Sequence, residues 1–265
     1  MRIALLSDIH GNPLALDAVL GDIATQGPVD AYWVLGDFAG LGYDPATVIE
    51  RALALPNVRF VRGNHDRYMI SGEGWQPSLE DAHKDPEKVR LYASFAASFG
   101  WAKGYVTAAG QLDWLAHLPL EQRETLPDGT RLLGVHAAPG TDDGDGIHPK
   151  ITDDALRAAA RQAEADLIVV GHTHVPLDRS VDDVRFFNLG SVSNPLTPDW
   201  RASYGLLDAG PAGYSLKLRR VEYDREAAIA AIERSGHPQA PALVRFLEGK
   251  MLSPWLREPV SQGSS

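Results

Sequence analysis

Residues 167–174 read Leu167-Ile168-Val169-Val170-Gly171-His172-Thr173-His174, an apolar run that ends in a glycine and two histidines. A short apolar run closed by glycine is typical of a strand that is buried on both faces of a parallel sheet. The start of the chain repeats this form, with Ile3–Leu6 followed by Ser7-Asp8-Ile9-His10. Two buried strands are therefore predicted to end in side chains that can bind a metal ion or a substrate.

The first part of the chain alternates apolar runs with helical patterns. Strands are predicted at Ile3–Leu6, Ala31–Leu35 and Val58–Val61. Between them, Asn12-Pro13 and Asp44-Pro45 each combine an N-cap residue with a proline at the first helical position. This alternation predicts right-handed crossovers and a largely parallel sheet.

The alternation weakens between Asp66 and Tyr105, where glycines and prolines interrupt it. We predict a helix over residues 87–99 and interpret residues 66–105 as a cap-like insertion over one edge of the sheet. Thr107 is predicted to cap a further helix that carries Leu112 and Leu115. Core packing is the preferred interpretation of the aromatic residues here, with a substrate cap as the alternative: Trp75, Phe95, Phe99 and Trp101.

The second half of the chain first continues the α/β pattern and then loses its helices. The predicted elements are a strand at Arg131–Val135, a helix at Thr152–Ala163 and strands at Leu167–Val170, Val184–Leu189, Tyr204–Leu207 and Tyr214–Val221. We predict that the last three strands form an antiparallel meander or a second sheet. Helices over residues 224–234 and 238–250 follow, and Ser261–Ser265 is expected to be a frayed tail. Residues 1–265 are expected to form a single domain.

Composition excludes several classes of function. The 265 residues include 25 Lys and Arg against 35 Asp and Glu, a net charge of −10, which argues against a protein that coats an extended nucleic acid. A small anionic substrate is still allowed, because a bound metal can reverse the charge locally. The absence of cysteine excludes disulfides, iron–sulfur clusters, thiolate zinc sites and cysteine nucleophiles. No apolar run approaches a membrane span or a signal peptide, so a cytoplasmic protein without a membrane partner is expected.

Polar side chains follow five predicted strands at the end where a parallel sheet binds ligands. They are Asp8 and His10, then Asp37, then Asn64, His65 and Asp66, then His136, and finally His172 and His174. In extended chain, residues i and i+2 point to the same face, so Asp8 and His10 are expected to converge. One such residue alone is more often a cap or a surface group, but the set together predicts a site.

Oxygen and nitrogen ligands without sulfur suit Mn²⁺, Fe, Zn²⁺, Ni²⁺ or Co²⁺. The set is large enough for two ions. A pair of ions about 3.5–4 Å apart acts as a clamp on phosphoryl oxygens, and we expect a bridging carboxylate to hold such a pair.

The ordered motifs resemble the calcineurin-like metallophosphoesterase superfamily. They are Asp8-x-His10, Gly36-Asp37, Gly63-Asn64-His65-Asp66, His136 and Gly171-His172-x-His174, and Asn188-Leu189-Gly190-Ser191 is similar to the Asn-Pro-Gly-Ser turn of the bacterial branch. The resemblance implies an α/β (α+β) fold, a four-layer αββα sandwich of two mixed sheets flanked by helices. It also implies hydrolysis of phosphate esters.

The resemblance assigns a role to each of these residues. Asp8, His10 and His174 would hold the first metal, Asn64, His136 and His172 the second, and Asp37 would bridge them. His65 would protonate the leaving group or steady the phosphate. Asp66 would either orient His65 or cap a helix.

Where the sequence departs from the family pattern, it indicates which branch of the family the chain resembles. Protein Ser/Thr phosphatases carry an Asp and an Arg after the second strand, in Gly-Asp-x-x-Asp-Arg-Gly, whereas this chain reads Gly36-Asp37-Phe38-Ala39-Gly40-Leu41-Gly42. Protein phosphatase activity is therefore not expected. The run Gly40-Leu41-Gly42-Tyr43-Asp44-Pro45 resembles bacterial small phosphoesterases instead. The run Thr141–Gly146 superficially resembles a calcium loop, but with Gly146 at the sixth position the first and twelfth positions are threonines, where carboxylates are required. We interpret it as a solvated acidic loop near the site.

These observations predict a dinuclear metal-dependent phosphoesterase, with manganese as the first choice of metal. Small or nucleotide-like phosphodiesters are the preferred substrates. A phosphomonoesterase and a dinucleoside polyphosphate hydrolase are the alternatives. A non-catalytic scaffold is disfavoured because His65 is present. The sequence does not predict an oligomeric state.

Overall fold

A computed structural model describes residues 1–256 and shows the predicted alternation at the start of the chain. Strands β1 (Arg2–Leu6), β2 (Ala31–Leu35) and β3 (Val58–Val61) pair in parallel, and helices α1 (Pro13–Thr25) and α2 (Pro45–Leu53) connect them. Both helices begin as predicted. Asn12 accepts a hydrogen bond from the Ala15 amide, and Asp44 accepts one from the Thr47 amide.

The middle segment is more helical than the sequence indicates. It contains α3 (Asn64–Ser71), α4 (Leu79–Lys84), α5 (Pro86–Ala108) and α6 (Leu112–Ala116). The helix predicted over residues 87–99 therefore continues to Ala108. The prediction for Thr107 is wrong, because Thr107 lies in the last turn of α5 and its hydroxyl donates to the Lys103 carbonyl at 2.6 Å.

The remaining strands are divided between two sheets. The elements are β4 (Glu121–Thr125), β5 (Arg131–Val135), α7 (Asp153–Ala163), β6 (Leu167–Val170), β7 (Leu177–Val181), β8 (Val184–Asn188), β9 (Ala202–Gly210), β10 (Gly213–Val221), α8 (Arg225–Arg234), α9 (Ala240–Leu247) and a 3₁₀ turn at Pro254–Leu256. The strand order is β10-β9-β1-β2-β3 in the first sheet and β4-β5-β6-β8-β7 in the second.

The predicted C-terminal meander is wrong. β8 runs parallel to β6 in the second sheet, whereas β9 and β10 form a hairpin that pairs antiparallel with β1. The first sheet is therefore mixed rather than largely parallel. The hairpin joins it because Ala202, Tyr204 and Leu206 of β9 are buried against the helices on the outer face of that sheet.

The strands show why the two sheets stack. In β6, Leu167 and Val169 point into the layer between the sheets, while Ile168 and Val170 point outward to the α7 side. In β1, Leu5 points into the same inner layer, and the outer face of the first sheet is covered by α1, α2 and α5. This arrangement confirms the four-layer αββα sandwich.

Aromatic packing accounts for much of the middle segment. Trp75 and Phe99 stack with ring centroids 5.0 Å apart and are buried in the core cluster on the first sheet. Phe95 and Trp101 pack against the same cluster and are half-buried. These contacts support core packing, and a cap-like insertion at residues 66–105 stays a prediction.

None of the helices within residues 1–256 has the length and apolar character that crossing a bilayer would require. The predicted tail Ser261–Ser265 lies outside the described residues.

Candidate metal centre

The carboxyl ends of five strands bring the predicted ligands together. Asp8 and His10 follow β1, Asp37 follows β2, Asn64 opens α3 after β3, His136 follows β5, and His172 and His174 follow β6. Except for the half-buried His172, all of these side chains are buried. Six of the seven form two sets of three, which we call the first ligand group (Asp8, His10, His174) and the second ligand group (Asn64, His136, His172).

The backbone reaches this arrangement through left-handed turns rather than extended chain. Positive φ angles occur at Asp8 (58°), His10 (45°), Asp37 (55°), His172 (67°) and His174 (56°). The expectation that i and i+2 alternation aligns Asp8 with His10 is therefore wrong, although the side chains do converge. A left-handed L-residue costs about 1–2 kcal/mol, and such strain concentrates at functional sites.

The first ligand group brings together three atoms that can each bind a cation. Nε2 of His10 lies 3.1 Å from Nε2 of His174, and Asp8 Oδ1 lies 3.2 Å from the latter. The two Nδ1 atoms donate to the carbonyls of Ala39 and Asn194. Both rings therefore direct Nε2 toward a common point, where a bound metal ion would take the place of a proton on these nitrogens. Asp8 Oδ1 is buried and has no hydrogen-bond partner among the described residues.

The second ligand group shows the same pattern. Asn64 directs Oδ1 to within 3.0 Å of His136 Nε2 and 3.1 Å of His172 Nδ1. The opposite ring nitrogens donate to carbonyls, His136 Nδ1 to Leu35 at 2.7 Å and His172 Nε2 to Gly144 at 2.7 Å. Asn64 Oδ1 and the two ring nitrogens thus face one another, and each is an atom that can bind a metal ion once the ring nitrogens are deprotonated.

Asp37 lies between the two groups. Its Oδ2 is 3.5 Å from His10 Nε2 and 3.4 Å from His136 Nε2. Its Oδ1 accepts a hydrogen bond from the His65 amide at 3.0 Å. One oxygen is therefore held by the backbone, and the other faces a member of each ligand group.

The charges of the site also suit a cation. Burial raises the pKa of Asp8, but the neighbouring His174 outweighs this effect and lowers that pKa to about 2. Burial lowers the pKa of His10 to about 3, even though the Asp37 and Asp8 carboxylates act in the opposite direction. Burial opposes protonation of His136 as well, but the Asp37 carboxylate raises its pKa to about 10. Two buried carboxylates stay ionised, and the oxygen and nitrogen donor set fits divalent transition-metal ions.

His65 lies beside the ligand groups and is bonded to neither through its ring. The ring centroid is 5.0 Å from that of His10 and 5.2 Å from that of Phe99. Its Nδ1 is buried without a partner among the described residues. Burial lowers the pKa of His65. His65 is thus close enough to meet a substrate on the metals, and it also forms a potential ligand cluster with His10 and Asp37.

The contacts of Asp66 support one of its two interpretations. Its carboxylate accepts hydrogen bonds from the amides of Asp37 (2.9 Å), Phe38 (3.0 Å) and Gly63 (2.9 Å). Asp66 therefore caps α3 and ties the loop after β2 to the loop after β3. Burial raises its pKa to about 7. Its hydrogen bonds within residues 1–256 go to backbone amides, and orientation of His65 by Asp66 stays a prediction.

The structure gives supporting roles to two residues of the Asn188–Ser191 turn and to Asn194, which the sequence analysis did not name. The Ser191 hydroxyl donates to the Asp8 carbonyl at 2.9 Å, and Asn188 donates to the carbonyl of Gly171 at 2.8 Å. Through these contacts the Asn188–Ser191 turn holds the backbone at Asp8 and at Gly171, which lies beside His172. Asn194, whose carbonyl fixes His174, had no signal in the sequence.

The acidic loop is not simply solvated. Asp142 is 4% exposed and pairs with Arg62 at 2.8 Å and with Arg67 at 3.0 Å. The prediction of a solvated loop is therefore wrong for Asp142, because two arginines from the neighbouring strand end and helix neutralise it.

Comparison with known proteins identifies the family. The family model described as the calcineurin-like phosphoesterase superfamily domain matches residues 1–210. The chain belongs to the calcineurin-like phosphoesterase superfamily. An uncharacterized protein of Methanocaldococcus jannaschii is 30% identical over 253 residues, 89% of this chain and 94% of that one. The symmetrical bis(5'-nucleosyl)-tetraphosphatase of Acidovorax sp. is 30% identical over 173 residues, which cover 63% of this chain and 52% of that enzyme.

Solved structures share the superfamily fold. The metallophosphoesterase of Sphaerobacter thermophilus superposes with a TM-score of 0.72 at 27% identity and covers 94% of this chain and 98% of its own. A hypothetical protein of Pyrococcus horikoshii superposes with a TM-score of 0.75 at 24% identity, and the superposition covers 93% of this chain and 97% of that one. The latter likeness concerns the fold alone.

Helices α8 and α9 follow the part of the chain that matches the superfamily model. Ala228 and Leu243 from these helices pack on Tyr43, next to Leu41. His237, between the helices, contacts the Ser98 hydroxyl at 3.2 Å. The C-terminal segment thus supports the loop that runs past His10 and His65.

Proposed function

We propose that this protein is a dinuclear metal-dependent phosphoesterase that hydrolyses small or nucleotide-like phosphodiesters. The observation that carries the proposal is the position of Asp37 between two groups of acceptor atoms, each already turned toward a common point by backbone carbonyls. Manganese is the first choice of metal, because carboxylate and amide oxygens are combined with imidazole.

The residues of the site divide the work of hydrolysis. When bound, the metal ions would polarise the phosphoryl oxygens and activate the attacking water. Asp37 would hold both metal positions at a fixed separation. The carbonyls of Leu35, Ala39, Gly144 and Asn194 hold the four imidazole rings in one orientation. The ring of His65, at the edge of the site, would place a proton on the departing oxygen or steady the phosphate.

The charge of the surroundings favours a diester. Arg62 and Arg67, which flank the Gly63–Asp66 motif, are paired with Asp142 and Asp143. Their guanidinium groups are therefore neutralised before a substrate arrives. A phosphomonoester carries more negative charge than a diester at neutral pH, so it depends more on additional cations. A diester needs only the metals.

A dinucleoside polyphosphate hydrolase is the main alternative. The observation that favours it is the similarity to symmetrical bis(5'-nucleosyl)-tetraphosphatases, although the chain spans about half the length of those relatives. A phosphomonoesterase and a non-catalytic scaffold are further alternatives.

A substrate panel separates these functions. Purified protein is stripped with EDTA and reloaded with Mn²⁺, and kcat/KM is measured on bis-p-nitrophenyl phosphate, a cyclic nucleotide, p-nitrophenyl phosphate and diadenosine tetraphosphate. We expect the highest values on the two diesters and loss of activity without metal. A preference for the tetraphosphate would support the alternative. Bound metal without turnover on any of the four would indicate a scaffold. Asp37→Asn is the control for a contaminating hydrolase.

A further inference from the structure

Asp143 of the acidic loop makes contacts beyond its pairing with Arg67. Asp143 is only half-buried, yet it makes a dense set of hydrogen bonds. Its Oδ2 accepts from the Tyr68 hydroxyl at 2.5 Å and from Arg67 Nη2 at 2.7 Å. Its Oδ1 accepts from the amide of Gly144 at 2.8 Å. A loop carboxylate is thus tied to α3 on one side and to the next residue of its own loop on the other.

Gly144 connects this cluster to the second ligand group. Its carbonyl accepts the 2.7 Å hydrogen bond from His172 Nε2, and Gly144 itself has a φ of 93°, a conformation that favours glycine. His172 is the exception among the four rings. It directs Nδ1 to its group, whereas His10, His136 and His174 direct Nε2. The orientation of His172 therefore depends on an exposed glycine carbonyl, which needs support from elsewhere.

We propose that Asp143 is a positioning residue: it holds the Gly144 carbonyl against His172 and so turns Nδ1 of that ring toward the second ligand group. The same helix, α3, carries Asn64 at its first position and Arg67 and Tyr68 one turn later. Two of the three members of the second ligand group are therefore connected through Asp143. The first ligand group is held by the Ala39 and Asn194 carbonyls and does not use this connection.

This inference rests on the proposed metal site, and its effect is confined to one half of it. Residues that orient a metal-binding histidine typically contribute about 10–100-fold in metal affinity. In Asp143→Ala, we expect the dissociation constant of the second Mn²⁺ to rise by about that factor while the first is unchanged. Tyr68→Phe keeps the ring and removes only the hydroxyl, so a smaller loss at the same site is expected.

The experiment has two readouts and a matched control. Free Mn²⁺ is followed by electron paramagnetic resonance during titration of the parent, Asp143→Ala, Tyr68→Phe and Asp145→Ala. The last variant removes the same charge from an exposed position of the same loop. In parallel, a long-range ¹H–¹⁵N spectrum of the metal-free protein at pH 8 reports the His172 tautomer, assigned with His172→Gln.

We expect a pure Nε2–H form of His172 in the parent and in Asp145→Ala, and averaged nitrogen shifts from both tautomers in Asp143→Ala. Equal tautomers and equal second-site affinities in Asp143→Ala and Asp145→Ala would overturn the proposal. If Asp143→Ala does not fold, an unchanged Tyr68→Phe would overturn it in the same way. If the parent binds fewer than two Mn²⁺ ions, the proposed function fails, while the tautomer comparison still decides the role of Asp143.

Discussion

Gly40 is the residue through which the role of His65 can be tested without touching a proposed metal ligand. It has a φ of 108°, and a methyl group added there would lie 2.6 Å from His65 Nδ1 and 3.2 Å from both Cβ and Cγ of that ring. Ordinary van der Waals contact begins at 3.4 Å. In Gly40→Ala the imidazole must therefore move by about 0.8 Å, because a packed interior has no spare volume beside it.

A displacement of this size is large for a group that acts on substrate. A misplacement of about 1 Å can cost about 100-fold in rate. We expect kcat on an alkyl phosphodiester to fall about 10–100-fold in Gly40→Ala, equivalent to about 1.4–2.7 kcal/mol in the activation free energy. Metal binding should persist, because the three atoms nearest to the new methyl group all belong to His65.

The control is Gly129→Ala, in the turn between β4 and β5. Gly129 has a φ of 91°, and a methyl group there meets no atom of the described residues within 4 Å. Both variants carry backbone strain of about 1–3 kcal/mol and should lose thermal stability. Steady-state kinetics and manganese content are measured on both. A Gly40→Ala protein that binds two metals and retains the turnover of Gly129→Ala would refute a role for His65 in the reaction.

Three further substitutions test the roles of Asp37, His65 and His237. Asp37→Asn should remove most activity at limiting Mn²⁺ and weaken binding at both metal positions, since the charge of the carboxylate that faces both ligand groups is lost. The fold should persist by circular dichroism, and normal turnover would contradict the bridging role. His65→Gln should lower kcat/KM about 10²–10⁴-fold on alkyl esters and much less on p-nitrophenyl esters, whose leaving group needs no proton; equal losses would leave only phosphate positioning. Burial lowers the pKa of His237 to about 4, so the unfolded chain gains a proton before the folded protein as pH falls below about 6.5, and stability declines. The free energy of unfolding is measured by urea titration in EDTA at pH 7 and at pH 4.5. Between these two pH values it should fall by about 2 kcal/mol less in His237→Gln than in the parent. Equal decreases would contradict this explanation.

Much of the fold follows from local pattern. Three strands have the predicted bounds: Ala31–Leu35, Val58–Val61 and Leu167–Val170. Each is closed by turn residues and pairs in parallel with a neighbouring strand, although Val58–Val61 lies at the edge of its sheet and is only partly buried. Pro13 and Pro45 follow capping side chains, and both helices begin there. The convergence of the site residues also follows, since parallel strands end at a common edge.

The elements that the sequence did not reveal depend on tertiary contacts. β4 (Glu121–Thr125) and β7 (Leu177–Val181) are edge strands rich in charged residues, and their pairing with β5 and β8 determines their conformation. The helix that begins at Asn64 follows Gly63, which has no side chain to mark a cap, and it is held by Asp66 instead.

The site shows the same division between local and tertiary causes. The residues that converge at this site could be named from the sequence, because their types and their places after strands are unusual together. Their left-handed backbone could not, because it is imposed by hydrogen bonds between loops, such as that from the His10 amide to the Asp37 carbonyl at 2.9 Å. The Gly144 and Asn194 carbonyls carry no sequence signal, since any residue can supply one.

Anomalous diffraction from crystals grown with Mn²⁺ tests the central claim most directly. We expect two manganese peaks, one bound by Asp8, His10 and His174 and the other by Asn64, His136 and His172, with Asp37 contacting both. A single peak, or two peaks that do not share Asp37, would contradict it.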